Sequence, residues 1–139
     1  MLGTLIAVAG CAEPGDGTRE LLEALPEASL TYPAAELLMD GGRDAEATID
    51  GPMPAVAWRI FGSHAQPQEI HEFFESELTS TGWSEVTGIR TTTELDAWRW
   101  EKDGNTFRLG IMDPDQWHAR LEGSEAFPTI FDVRLASPQ

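Results

Sequence analysis

The pattern of apolar and polar positions between Gln66 and Trp83 predicts the main helix of the chain. Its apolar positions recur at i, i+3, i+4 and i+8, which is one face of a helix, and they are Ile70, Phe73, Phe74 and Leu78. Pro67 suits the first helical position, where a missing N–H costs nothing. Gly82 suits the position after the helix end, so Trp83 should fold back on Leu78 in a Schellman turn.

Runs of apolar residues bounded by turn residues predict five or six strands around this helix. They cover residues 35–39, 55–61, 83–90, 95–102, 106–112 and 129–136. The polar, turn-rich stretch from Asp40 to Pro54 is expected to be a loop, with at most a short extended piece near 47–49. A short helix at about 114–121 is predicted because Asp113 can cap it and Pro114 suits its first turn.

Short connections between consecutive strands predict an antiparallel sheet. The Asp103-Gly104 turn is a strong hairpin signal, and a two-residue loop would pair Trp100 with Phe107 and Arg99 with Arg108. The predicted fold class is α+β: an antiparallel sheet of about five to six strands, with the main helix (about 67–81) packed on one face. The sequence leaves open whether the short second helix (about 114–121) covers the same face.

Strand alternation places several arginines on the sheet face opposite the main helix. Arg59 is assigned there because its neighbours Trp58 and Ile60 are interpreted as inward-facing. Guanidinium groups bind carboxylate, phosphate or sulfate in a bidentate manner. The candidate anion-binding residues are therefore Arg59, Arg99, Arg108 and Arg134. The alternative is that acids such as Glu101 and Asp132 already neutralise these arginines in the sheet.

Four tryptophans divide into expected core residues and one candidate interaction residue. Trp58, Trp83 and Trp98 fall on predicted inner faces and are expected in the core. Trp117 lies in the short second helix, where it is a candidate interaction residue. The alternative is that Trp117 packs over one end of the sheet.

No motif for catalysis, metal binding or a cofactor emerges from the sequence. His64, His71 and His118 share no metal-ligand spacing, and the acids of residues 40–50 do not match a calcium loop. A nucleophile elbow and a glycine-rich phosphate loop are also missing. The sequence therefore predicts no metal site, no cofactor and no catalytic residues, with an unrecognised hydrolase or metal-dependent enzyme as the alternative.

Net charge limits the partners that the protein is expected to have. The 139 residues include 24 acids against 9 bases, for a net charge of −15. Nucleic-acid binding depends on neutralising phosphates, so this balance predicts no nucleic-acid partner. It also argues against adsorption to anionic lipid by charge alone.

The N-terminal stretch Leu2–Gly10 is apolar or small and ends at Cys11, the one cysteine of the chain. It is too short to span a bilayer, which takes about 20 apolar residues, but it has the length of a signal-peptide core. Val8-Ala9-Gly10-Cys11 resembles the bacterial lipobox. That resemblance implies cleavage before Cys11 and a diacylglyceryl group on its thiol, although no Lys or Arg precedes Leu2.

Several short segments of the sequence resemble segments of small uncharacterised lipoproteins of high-GC Gram-positive bacteria. These segments are Tyr32–Leu37, Thr48–Pro52, Gly82-Trp83 and Phe107–Ile111. The resemblance implies a location and a shape, but no chemistry. The expected layout is a signal peptide (1–10), a lipidated tether with a short helix (11–30) and one α+β domain (31–139). We expect an extracytoplasmic binding or scaffolding domain on the cell membrane, partnered by the membrane through its lipid anchor and by an envelope protein or small ligand.

Overall fold

The computed structural model describes residues 18–86 and 94–138. Its helices are α1 (Arg19–Glu23), α2 (Pro67–Ser80) and α3 (Pro114–His118), and single 3-10 turns occupy Pro26–Ser29 and Ser124–Ala126. Its strands are β1 (Glu36–Arg43), β2 (Glu46–Thr48), β3 (Gly51–Met53), β4 (Val56–Ser63), β5 (Ser84–Val86), β6 (Glu94–Lys102), β7 (Asn105–Met112) and β8 (Thr129–Ala136).

Six of these strands form one sheet in the order β1-β4-β8-β7-β6-β5, and every neighbouring pair is antiparallel. Strands β2 and β3 form a separate small hairpin. The predicted α+β class, with a sheet of this size and one main helix, is therefore confirmed.

Both ends of α2 are fixed by local hydrogen bonds. At its start, the Gln66 backbone N–H donates to the Glu69 carboxylate at 2.9 Å. At its end, Gly82 takes a φ of 97°, and the Trp83 N–H donates to the Leu78 carbonyl at 3.0 Å. These bonds form the predicted Schellman turn, which directs the chain from α2 straight into β5.

The apolar stripe of α2 packs on one face of the sheet, which we name the inner face. Phe74 is fully buried, and its ring centroid lies 5.7 Å from that of Phe107 on β7 and 6.1 Å from that of Phe131 on β8. Trp100, opposite Phe107 in the hairpin register, is fully buried beside them. The predicted pairing of the hairpin is therefore confirmed, and its aromatic residues form the centre of the core.

The first described helix also belongs to this core. Leu22 of α1 is 3% exposed, and Leu25, Ala28 and Leu30 pack against the same cluster. The packed unit therefore includes residues that precede position 31.

The segment expected to be a loop between Asp40 and Pro54 is largely extended, so that prediction was wrong. β1 continues to Arg43, and most of the remainder forms the β2–β3 hairpin. At Gly41 a Cβ atom would lie 2.4 Å from the indole of Trp58, its partner on β4. Gly41 thus serves close packing against Trp58 rather than a turn, which local composition does not reveal.

Helix α3 and the turn after it lie on the opposite, outer face of the sheet. Gly62 alternates with the inner-facing Phe61 on β4, and a Cβ atom at Gly62 would meet the ring of Phe127 at 2.3 Å. Asp113 caps α3 as predicted by accepting from the Asp115 N–H at 3.0 Å. The helix ends at His118, earlier than expected, and the two helices cover opposite faces.

Two of the expected features involve residues outside the described ranges. They are the N-terminal stretch with Cys11 and the last part of the strand predicted at 83–90, of which Ser84–Val86 is observed. None of the helices within residues 18–86 and 94–138 has the length and apolar character to cross a bilayer.

The adjacent phenylalanines of α2 offer a matched test of this packing. Phe74→Ala should lower the free energy of unfolding by about 3–5 kcal/mol, because it opens a cavity at a fully buried site. Phe73→Ala should lower the free energy of unfolding by clearly less, since Phe73 is only partly buried and packs against Tyr32. Urea unfolding of both variants measures the difference, and equal losses would contradict the assigned orientation of α2.

Candidate functional site

Three arginines lie side by side on the outer face of the sheet. Arg99 on β6 pairs with Arg108 on β7, and Arg108 pairs with Arg134 on β8. Neighbouring strands are about 4.8 Å apart, so the three side chains leave the sheet as one continuous row. We name Arg99, Arg108 and Arg134 the arginine row. Like charges directly opposite each other are unfavourable, so packing alone does not explain this arrangement.

Acids contact members of the arginine row. Arg99 Nη2 lies 3.4 Å from Glu101 Oε2, and the two side chains are 35% and 49% exposed. Arg134 Nη2 lies 4.0 Å from Asp132 Oδ2. The exposed Arg99–Glu101 pair contributes about 0–1 kcal/mol, so a bound anion would displace it at little cost. The Asp132 side chain is only 4% exposed, so its contact with Arg134 is not an exposed pair. The Nε of Arg99 is buried and has no hydrogen-bond acceptor among the described residues.

Trp58 stands next to the arginine row, which corrects its predicted place in the core beneath the main helix. Its register partner on β8 is Arg134, and its ring covers Gly41 on β1. The inner position beside it is held by Ala57, which packs against the core. The half-buried indole therefore forms an apolar wall at one end of the row.

Arg59 does not join the arginine row, so the sheet face predicted for it was wrong. It shares the inner face with its register partner Val133, and its Nη2 donates to the Leu30 carbonyl at 2.9 Å. Burial lowers the pKa of the Arg59 guanidinium, and the charge of Asp40 opposes that shift. Alternation shows which residues share a face but not which face is covered, and Trp58 proved to face outward.

Arg59 has a structural role in place of the predicted one. Its hydrogen bond holds the segment after the Pro26–Ser29 turn against the sheet. Its guanidinium carbon lies 5.2 Å from the centroid of the Phe61 ring, a distance at which cations and aromatic rings attract.

Trp117, the candidate interaction residue, is half-buried on α3. Its carbonyl accepts from the Ser124 hydroxyl at 3.3 Å, which ties α3 to the following turn. Among the described residues, the large apolar side chains that are exposed lie elsewhere, and they are Leu21, Leu37, Met39, Ile49 and Met53. Most of them belong to the edge strand β1 and the β2–β3 hairpin.

A second group of polar side chains lies where α2 meets β5. Ligand atoms of His71, Glu75 and Glu85 all fall within 4.8 Å of one another, and we name these residues the His71 cluster. His71 and Glu75 are one turn apart on α2, which places them on one face. The Schellman turn then brings β5, and with it Glu85, back alongside the helix.

Sequence reasoning missed this cluster because it looked for spacing among histidines alone. The available signal was a His-x-x-x-Glu pair on a confidently predicted helix, followed by a sharp turn and an acid three residues beyond Gly82. Each feature is common by itself, and only the turn geometry brings all three side chains together.

Aromatic rings fix the orientation of His71. Its imidazole stacks on the ring of Trp98, with centroids 4.2 Å apart and an interplanar angle of 14°. Its Nε2 lies 3.8 Å from Glu85 Oε2, beyond hydrogen-bond distance, and this buried atom has no hydrogen-bond partner among the described residues. Stacking on Trp98 therefore helps to hold the nitrogen next to the carboxylates, together with its charge contact with Glu85.

The two carboxyl groups of the His71 cluster influence each other. Burial raises the pKa of Glu85, a hydrogen bond with Glu75 and the charge of Glu75 raise it further, and His71 acts in the opposite direction. The pKa of Glu85 therefore lies above that of an isolated glutamate, first because burial disfavours the charged carboxylate and then because Glu75 is next to it.

The chain was compared with protein families, curated proteins and solved structures. No family model, curated protein or solved structure matches the chain. The arginine row and the His71 cluster are the candidate sites that the described residues form.

The raised pKa of Glu85 predicts a pH-dependent effect of Glu85→Gln. At low pH both the folded and unfolded parent carry a protonated Glu85, so the substitution should change stability little. As pH rises through the raised pKa, the folded parent must ionise an unfavourably placed carboxyl and loses stability that the Gln variant keeps.

Urea unfolding of the parent and Glu85→Gln at pH 4 and pH 7.5, in metal-free buffer, measures this effect. Glu72→Gln is the matched control, since Glu72 is exposed on the same helix and its loss changes net charge equally. We expect the free energy of unfolding of Glu85→Gln, relative to that of the Glu72→Gln control, to increase from pH 4 to pH 7.5. An equal difference at both pH values would refute the raised pKa of Glu85.

Proposed function

We propose that the protein is a non-catalytic binding domain, anchored by lipid at the extracytoplasmic face of the cell membrane, which binds an anionic ligand on the arginine row. The observation that carries the proposal is the register that places Arg99, Arg108 and Arg134 side by side on three adjacent strands. The missing catalytic motifs in the sequence favour binding over catalysis.

The chemistry of the row favours a ligand with carboxylate, phosphate or sulfate groups. A guanidinium offers several N–H donors in a planar fork that matches two oxygens at once. Arg99 reaches Glu101 through Nη2, and its buried Nε is a donor that lacks an acceptor among the described residues. The indole of Trp58 would cover an apolar part of the ligand next to Arg134.

Charge distribution supports the same site. The chain has 9 basic residues and a net charge of −15, yet the row gathers three of these bases at adjacent register positions. A bound anion would add negative charge beside these guanidinium groups, next to the acids Glu101 and Asp132. The general negative potential of the protein would weaken long-range attraction, so we expect short-range recognition rather than fast, steered association.

Titration with inorganic phosphate and with citrate tests this site. Arginine side-chain Nε–Hε signals of the full chain, followed by NMR at low salt, should shift in a saturable manner for the arginine row. Arg99→Gln or Arg108→Gln should weaken binding at least about tenfold, because charge-assisted hydrogen bonds are worth about 1.5–3 kcal/mol each.

Arg19→Gln is the matched control for this titration. It removes one positive charge from α1, where Arg19 Nε bonds Glu23 at 2.7 Å, on the other side of the sheet. The control should bind both probes as the parent does. If Arg99→Gln and Arg108→Gln keep full affinity, or if no row signal shifts, the anion site is wrong.

The membrane location is supported by the N-terminal sequence. Val8-Ala9-Gly10-Cys11 resembles the lipobox, an apolar stretch precedes it, and the chain has a single cysteine. Each buried CH₂ of an acyl chain adds about 0.8 kcal/mol, so two or more chains would hold the domain stably at a bilayer. The membrane is then a partner through this anchor and not through charge.

Metabolic labelling with radioactive palmitate tests the anchor. Cells that produce the parent chain should incorporate label into the protein, and cells that produce Cys11→Ala should not, because the thiol is the site of acylation. Equal and negligible labelling of both forms would rule the anchor out.

A further inference from the structure

We propose that the His71 cluster is a binding site for a divalent transition-metal cation of the Zn²⁺ type. The site would use one imidazole nitrogen of His71 and one carboxylate oxygen each from Glu75 and Glu85. It is separate from the arginine row, since it lies where α2 meets the edge strand β5.

The spacing of the three donors suits such an ion. Their ligand atoms lie within 4.8 Å of one another. Zn²⁺ bonds to nitrogen and oxygen at about 2.0–2.2 Å, so tetrahedral ligands stand about 3.4 Å apart. The widest separation in the cluster therefore needs to contract by about 1.4 Å, which rotation of two glutamate side chains can supply without movement of α2 or β5.

The histidine of the site is already oriented for binding. Stacking on Trp98 fixes the plane of the His71 ring, and a second ring, that of Trp100, lies 5.9 Å away. Nε2 is buried, has no hydrogen-bond partner among the described residues, and lies 3.8 Å from Glu85 Oε2. A buried nitrogen without a partner is costly, and coordination of a cation would satisfy it.

The carboxylates supply the charge that a divalent cation requires. Glu75 and Glu85 place two carboxyl groups beside the His71 ring, with the ligand atoms of the three residues all within 4.8 Å of one another. A dication bound between the two carboxylates would neutralise both of their negative charges. The Glu85 side chain is 26% exposed, so water can complete the coordination shell from the solvent side.

The donor set also indicates which cations are excluded. Imidazole suits Zn²⁺ and its neighbours in the first transition series, whereas Mg²⁺ and Ca²⁺ prefer oxygen ligands alone. A site with one imidazole and two carboxylates should therefore select Zn²⁺ over Mg²⁺.

Isothermal titration calorimetry with ZnCl₂ on the full chain tests the proposal. The parent should bind one Zn²⁺ per chain, and excess MgCl₂ should not displace it. Glu75→Gln and Glu85→Gln should each weaken binding by about tenfold or more, since loss of even a supporting residue at metal sites typically costs 10–100-fold. Both substitutions preserve side-chain shape at partly exposed sites, so the variants should remain folded, which circular dichroism verifies.

Glu72→Gln is the matched control, because Glu72 lies on the same helix, is exposed and is not part of the cluster. It should bind Zn²⁺ as tightly as the parent. The proposal is overturned if the parent binds no Zn²⁺, if Mg²⁺ competes on equal terms, or if Glu75→Gln and Glu85→Gln bind as the control does. That last result would place the ion elsewhere, for example on His64 or His118.

Discussion

The apolar stripe of α2 against the aromatic inner face of the sheet is the contact on which the rest of the structure depends. Phe74 packs between Phe107 and Phe131, which belong to adjacent strands, so a single ring bridges the centre of the sheet. Burial of apolar side chains, among them these rings and Trp100, is the main source of favourable free energy in folding. The position of α2 in turn determines where the chain can go next.

Both candidate sites follow from that contact. The Schellman turn at Gly82 brings β5 back beside α2, which places Glu85 next to His71 and Glu75. Because the inner face is filled by rings, the alternate positions of β6, β7 and β8 must point outward. There the charges of the arginine row can be tolerated, since water screens them far better than a protein interior does.

Regularly repeating features of this fold could be predicted from sequence. The length and ends of α2 follow from its periodicity, Pro67 and Gly82, and the hairpin register follows from the two-residue Asp103-Gly104 turn. Once the register is known, it follows that Arg99 and Arg108 lie opposite each other on the same face of the sheet. Local signals were sufficient here because each of these features is determined by residues close together in the chain.

Features that depend on distant packing could not be predicted in this way. Trp58 and Arg59 exchange faces relative to expectation because Gly41, on another strand, accepts the indole. The contact between Gly41 and Trp58 also explains why Gly41 and Gly42 belong to strand β1 rather than to a loop. The His71 cluster joins residues from two elements through a turn, and no motif in the sequence describes it.

Direct observation of which rings contact α2 tests this account most closely. Nuclear Overhauser effects measured on the full chain should connect the ring protons of Phe74 with those of Phe107 and Phe131. Contacts from Phe74 to the side chains of Arg108 or Arg134, with none to Phe107 or Phe131, would contradict the account, because α2 would then lie on the face assigned to the arginine row.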